Sequence, residues 1–150
     1  MPFFSKKPPK LPSYQGVDLG DLLADPVWAD PLARASIVPA SCDLVRRVAS
    51  VMVADRRRSF SDGMPFMTGG PAIVFVQGHT LALAVPDERE VLVLTRPLGN
   101  GRLMLTRFGA VQVVFGADGS VDGWTFTGLK KETPEGREFG EALNRYVVSG

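Results

Sequence analysis

Ala72-Ile-Val-Phe-Val-Gln-Gly-His-Thr-Leu-Ala-Leu-Ala-Val85 is the stretch that decides the fold of this chain. Two apolar runs, 72–76 and 81–85, flank a short polar segment in which Gly78 suits a tight turn, and this pattern predicts a β-hairpin. Neither run contains a polar residue, whereas a strand with one face in water alternates. We therefore expect both faces of this hairpin to be covered, by residues 1–37, by the 59–71 segment or by a partner chain.

The same pattern of apolar runs and turn residues continues along the chain. Further strands are predicted at 91–95, 103–108, 111–115 and 121–127. Turn residues separate them, including Asn100-Gly101 in the second connection. All connections are short, and a parallel crossover needs roughly a dozen residues or more. The six strands are therefore predicted to form an antiparallel meander, in which each strand pairs with its neighbour in the chain.

A first helix is predicted over about 41–58, before the strands. Its apolar face follows helical spacing at Leu44, Val48, Val51 and Met52. Ser41 is in place to cap its start, and Arg56, Arg57 and Arg58 stand at its end, where the helix dipole favours cations.

A second helix is predicted over about 134–147, after the strands. Thr133 suits the N-cap and Pro134 the first helical position. Its apolar residues are Phe139, Ala142, Leu143, Tyr146 and Val147. The glutamates and arginines on the other side are typical of a solvated face rather than a site. The whole is predicted to be a single α+β domain over 17–150, preceded by a proline-rich, lysine-containing arm over 1–16.

Composition excludes several classes of protein. The chain has 150 residues, of which 45% are hydrophobic and 22% charged, values typical of a globular domain. Its net charge of +1 gives no strong nucleic-acid signal, and its single cysteine excludes an internal disulfide or a multi-cysteine zinc site. No stretch has the roughly 18–20 apolar residues of a transmembrane helix or the pattern of a secretory signal. We therefore expect a soluble cytoplasmic protein without a cofactor or metal.

The only cysteine and the only histidine offer one catalytic possibility, a Cys42–His79 pair. Cys42 stands in the first turn of the predicted first helix, where the dipole lowers a thiol pKa, and His79 stands in the predicted hairpin turn. Nothing in the sequence brings the two together. The favoured interpretation is a plain thiol and a turn histidine. The sequence leaves enzyme activity open and favours a non-enzymatic role.

Three surfaces are predicted to bind a partner. In the arm, Lys6, Pro9 and Pro12 are spaced as in proline-rich ligand motifs. The 59–71 segment, rich in Ser, Gly and Pro, is predicted to be a loop that contains Met64, Phe66 and Met67, and Met and Phe are typical of adaptable binding surfaces. Arg57 and Arg58 suit an anionic or acidic partner. The alternatives are a segment folded back over a sheet edge and an ordinary solvated helix end.

The sequence therefore favours a non-enzymatic protein–protein interaction module: an accessory or assembly subunit, an adaptor, a chaperone or an immunity-type protein. It would dock through the arm and the Met/Phe segment onto one or more proteins or onto a larger assembly. The alternative is a small-ligand-binding or simple enzymatic domain with a cavity between sheet and helices. For that alternative, the candidate polar groups are His79, Arg96, Arg107 and Trp124.

Overall fold

The computed structural model of this chain describes residues 17–59, 65–87, 90–105, 109–115, 122–130 and 132–145. Its three α-helices are α1 (Leu19–Ala24), α2 (Pro26–Arg34) and α3 (Pro134–Asn144). Its seven strands are β1 (Leu44–Ser59), β2 (Pro65–Gln77), β3 (Thr80–Asp87), β4 (Glu90–Pro97), β5 (Arg102–Leu105), β6 (Ala110–Val114) and β7 (Gly123–Lys130). All pair antiparallel in one sheet, so the α+β class is confirmed for the described residues.

A strand is present at each position predicted from 72 onward, and the predicted strand residues 106–108 and 121 lie outside the described residues. The central hairpin turns at Gly78, whose φ of +56° is one that glycine adopts without strain, and Gln77 pairs with Thr80 on either side of it. Helix α3 also begins as predicted, because the Thr133 hydroxyl accepts a hydrogen bond of 3.0 Å from the backbone N–H of Gly136. The predicted helix is confirmed as far as Asn144, and its last residues, 146–147, lie outside the described residues.

The helix predicted over 41–58 is wrong, because these residues form strand β1. The inward-facing residues of β1 are Leu44, Val48, Val51 and Val53. A register shift between Val48 and Val51 changes which residues face inward, so the apolar spacing of this strand is irregular. That spacing of four and then three residues imitates the periodicity of a helix.

The predicted meander is also wrong in its connectivity. The strand order is β4-β3-β2-β1-β7-β6-β5, so β4 and β5 lie at opposite ends of the sheet although they are consecutive in the chain. Strand β1 joins the two halves, because residues Met52–Ala54 pair with Gly123–Thr125 of β7. The sheet therefore consists of two meanders, β1–β4 and β5–β7, that meet along β1 and β7.

The sheet must curl strongly to allow this order. The two edges of a flat seven-stranded sheet lie roughly 29 Å apart, at about 4.8 Å per strand. The chain from Pro97 to Arg102 reaches at most about 18 Å. A short 3₁₀ turn, Leu98–Asn100, makes this connection, and Leu98 is fully buried. The curl brings the last residues of β4 close to the start of β5.

Each face of the curled sheet packs against its own layer. On the concave side, α3 contributes Phe139, Ala142 and Leu143 to a core formed by all seven strands. On the convex side, Leu22 of α1 and Trp28 and Leu32 of α2 cover β2, β3 and β4. The two apolar runs of the central hairpin are therefore covered on both faces, and the segment 17–37 supplies the second cover, which confirms one of the predicted options.

Candidate functional site

Two of the predicted binding residues, Phe66 and Met67, lie in a strand. The backbone of β2 pairs Phe66 with Asp55 and Met67 with Ala54 of β1. The prediction that 59–71 is a loop is therefore wrong for the described part of this segment. Its glycine and proline content indicated irregular structure, but pairing with the long strand β1 overrides that local preference.

The arginine triplet lies next to these pairs, in an irregular part of the same hairpin. Its members are Arg56, Arg57 and Arg58. The register passes directly from Asp55↔Phe66 to Ser59↔Pro65, so β1 carries the whole triplet where β2 has no residue. The triplet is thus a bulge in a strand, and the prediction that Arg57 and Arg58 end a helix is wrong. The fold places Arg57 and Arg58 beside Phe66 and Met67 along the backbone.

Among the described residues, the hairpin of β1 and β2 extends beyond its neighbours in the sheet. In these residues, β7 pairs with β1 at Met52–Ala54, and β3 pairs with β2 at Ile73–Gln77. Within the part of the chain that the structure describes, residues 55–59 and 65–70 therefore have strand partners only in each other or in β1. We call residues 55–59 and 65–67 the distal ribbon. At its base, the side chain of Met52 is 53% exposed.

Several predicted site residues lie outside the described residues. They are Lys6, Pro9, Pro12, Met64 and Arg107. Their predicted roles stay predictions.

Cys42 is held in a position that suppresses its reactivity. It follows a 3₁₀ turn, and its Sγ lies 3.4 Å from the carbonyl oxygen of Val38 and 3.8 Å from Oε1 of Gln77. Burial, followed by the charge of Asp43, raises the pKa of the thiol to about 11. The expected lowering by a helix dipole is wrong, because no helix begins there. His79 is exposed in the β2–β3 turn, where its carbonyl oxygen accepts a hydrogen bond of 2.6 Å from the Leu98 N–H.

Arg96 and Trp124, two candidates for a ligand cavity, do lie near each other, but in a filled part of the core. The guanidinium of Arg96 pairs with Asp122 and lies 4.1 Å from the centre of the Phe115 ring. The Phe115 ring meets that of Trp124 edge to face, with 5.5 Å between their centres. Arg96 and Trp124 are 7% and 0% exposed. This cluster is therefore packed within the core, and the cleft described next lies elsewhere.

A cleft of about 340 Å³ opens between α3 and the strands β5 and β6. Its apolar residues are Leu103, Leu105 and Val111 of the sheet. Its helical residues are Gly136, Arg137, Gly140, Glu141 and Asn144. Of the candidates named for a ligand cavity, the three that the structure describes, His79, Arg96 and Trp124, are not among these lining residues.

The two glycines of α3 differ in why they are there. A Cβ on Gly136 would lie 1.9 Å from the carbonyl oxygen of Lys130, so the close approach of the preceding chain requires glycine. A Cβ on Gly140 would meet no atom of the described residues within 4 Å. Gly140 therefore leaves open space beside the sheet. Sequence reasoning missed this cleft, because it assigned the charged side of α3 to solvent and could not place β5 next to it.

No protein-family model, no curated protein sequence and no solved structure matches this chain significantly. Within the described ranges, no three His, Cys, Asp or Glu side chains come together as a metal site would need. In the same ranges, every helix is too short or too polar to cross a bilayer.

Proposed function

We propose that this chain is a non-enzymatic protein-interaction module that docks through its distal ribbon. An accessory or assembly subunit, an adaptor, a chaperone or an immunity-type protein would each fit this role, working in the cytoplasm with one or more protein partners. The observation that carries the proposal is the hairpin itself, which extends past the described residues of β3 and β7 and whose backbone carries Phe66, Met67 and the arginine triplet at its far end. The proposal includes the arm residues Lys6, Pro9 and Pro12 as a second contact.

The backbone of the ribbon supports this proposal. Strand edges carry N–H and C=O groups that pair readily with an added strand from a partner. Within the described ranges, the pairing of β2 with β3 covers Ile73–Gln77, and no described strand lies beside the outer edge of residues 65–70. A partner strand added there would lie next to Phe66 and Met67.

The charge of the ribbon indicates what kind of partner fits. Residues 55–59 carry three arginines against one aspartate. A partner segment that is extended, apolar in part and acidic would match both the edge and this charge. The raised thiol pKa of Cys42 and the filled surroundings of Arg96 favour binding over catalysis.

A site-specific photo-cross-linker tests the proposal. A benzophenone amino acid replaces Phe66 in one variant and Val27 in another, since Val27 is exposed on α2, which belongs to the convex layer. On irradiation in the native host, we expect a discrete protein adduct from position 66 and none from position 27. Adduct formation is expected to fall when Arg57 and Arg58 are changed to glutamate. No adduct at 66, or the same adduct at both positions, would refute docking through the ribbon.

A second candidate function is the binding of a small ligand. The observation in its favour is the cleft beside Gly140, which lies between the sheet and a helix as the alternative prediction requires. Its volume of about 340 Å³ is within the range of small-molecule sites, roughly 300–1,000 Å³. The two candidates use different parts of the molecule and are tested separately.

A further inference from the structure

We propose that the cleft between α3 and β5 binds a small zwitterion with a large apolar side chain, such as an apolar α-amino acid. This inference rests on the second candidate function, ligand binding in the cleft, and is independent of the distal ribbon. Three features of the cleft support it: an apolar wall, an unfilled space over a glycine and a pair of opposite charges.

The apolar wall calls for an apolar group in the ligand. Leu103, Leu105 and Val111 line the cleft from the sheet. The side chain of Leu105 is 48% exposed, which is unusual among the large apolar side chains described here, most of which are buried. An apolar group placed against Leu105 would remove this surface from water, and that transfer is the favourable part of binding.

Gly140 provides the space for that group. Alanine is the more favourable residue within a helix, and the Cβ of an alanine at 140 would meet no neighbour within 4 Å. The packing of the described residues therefore gives no reason for glycine at this position. A ligand beside α3 does give one, because any side chain at 140 would occupy part of the cleft.

The charges of the cleft decide between ligand classes. Arg137 and Glu141 both line it, one helical turn apart, and both are exposed. Neither forms an ion pair with any residue that the structure describes. A lone carboxylate in the cleft would face Glu141, and a lone ammonium would face Arg137. A ligand that carries both charges next to its apolar group can place its carboxylate near Arg137 and its ammonium near Glu141. Neither side chain then faces a like charge.

The test is a titration of the full chain, followed by amide NMR, with three probes of similar apolar size. The probes are L-phenylalanine, 3-phenylpropionate, which has only the carboxylate, and 2-phenylethylamine, which has only the ammonium. We expect L-phenylalanine to shift the signals of Leu105, Gly140 and Glu141. Each single-charge probe is expected to bind about two- to fivefold more weakly, because exposed ion pairs are individually weak.

A filled-cleft variant and a matched control complete the test. Gly140→Leu places a side chain in the cleft, and it favours the helix because leucine is a better helix former than glycine. Ala33→Leu adds the same side chain on the exposed surface of α2. We expect Gly140→Leu to remain folded and lose binding, and Ala33→Leu to keep it.

The outcomes separate this inference from the function on which it rests. If all three probes bind equally and Gly140→Leu abolishes all binding, the cleft is a ligand site but the zwitterion assignment is wrong. If no probe shifts the cleft signals at millimolar concentration, or if Gly140→Leu binds as well as the parent chain, the inference and the second candidate function both fail.

Discussion

Arg96 of β4 and Asp122, which precedes β7, form a buried two-point ion pair. Nη1 of Arg96 lies 2.5 Å from Oδ1 of Asp122, and Nη2 lies 3.1 Å from Oδ2. The two side chains are only 8% and 10% exposed. Since β4 is at one end of the strand order and β7 is two strands from the other end, this contact crosses the inside of the curl. The pair therefore helps to hold the curled sheet closed.

Removing one partner of this pair is expected to be costly. Arg96→Met or Asp122→Asn leaves a buried group without its partner, and we expect the free energy of unfolding to fall by about 3–5 kcal/mol. Urea denaturation measures the loss. Arg34→Met, on the exposed end of α2, is the control and is expected to change stability by less than about 0.5 kcal/mol. A loss below about 1 kcal/mol in both core variants would show that the pair does not hold the curl.

One glycine of β2 has a backbone conformation that other residues rarely adopt. Gly70 has a φ of +118°, next to the register shift in β1, whereas its neighbour Gly69 has no positive φ. We expect Gly70→Ala to destabilise the protein by about 1–3 kcal/mol, because an L side chain is strained in that conformation. Gly69→Ala is the matched control, since its Cβ would make only an ordinary contact of 3.5 Å. Equal losses in thermal denaturation would contradict the requirement for glycine at position 70.

The two glycines of α3 are expected to respond in opposite directions to the same substitution. Gly136→Ala forces its Cβ to within 1.9 Å of the Lys130 carbonyl oxygen, so the helix must shift and stability falls. Gly140→Ala meets nothing within 4 Å and gains up to about 1 kcal/mol from helix propensity. Urea denaturation of the two variants gives the comparison. Destabilisation by Gly140→Ala would mean that the space beside it is already filled.

The thiol of Cys42 is expected to react slowly at neutral pH. Its pKa is raised from the ordinary 9.0 to about 11, so the folded chain holds less thiolate than the unfolded chain. At pH 8 we expect iodoacetamide to alkylate the folded protein at least about tenfold more slowly than the protein in urea. The folded chain favours the neutral thiol. The contribution of Cys42 to the free energy of unfolding is therefore full below pH 9 and is lost as the pH rises toward 11.

A variant at the neighbouring position separates the two causes of this pKa. Asp43→Asn removes the smaller contribution, the negative charge, and leaves the burial of Cys42 in place. The alkylation rate of folded Asp43→Asn is expected to rise modestly but to stay well below that of the unfolded chain. Equal rates in the folded and unfolded parent protein would show that Cys42 is not protected.

The class of the fold and most of its strands could be predicted because their signals are local. The apolar composition of residues 72–76 indicates a strand, and Gly78 indicates the turn that follows it. Thr133-Pro134 indicates the start of α3. The covering of both faces of the hairpin could also be predicted, since neither of its runs has a polar residue.

The parts that could not be predicted depend on contacts between distant segments. The apolar spacing of strand β1 resembles that of a helix because Arg46 lies on the same face as Leu44 and Val48. Arg46 forms a 2.5 Å ion pair with Glu138 of α3. When the position of α3 is not known, a charged residue at position 46 indicates the solvated side of a helix. The cleft could not be predicted for the same reason, because the space beside Gly140 forms a cleft only when Leu105 lies next to it.

The pairing of β1 with β7 also bears on how the chain is made. Met52–Ala54 leave the ribosome about 70 residues before Gly123–Thr125, the segment that pairs with them. At typical rates of synthesis, roughly 5–20 residues per second, this valine-rich strand waits some 4–14 seconds with one edge unpaired. During that time β2 protects only its other edge. Nascent chains that end before β7 would therefore be the form of this protein most prone to aggregate, and the form most dependent on a chaperone.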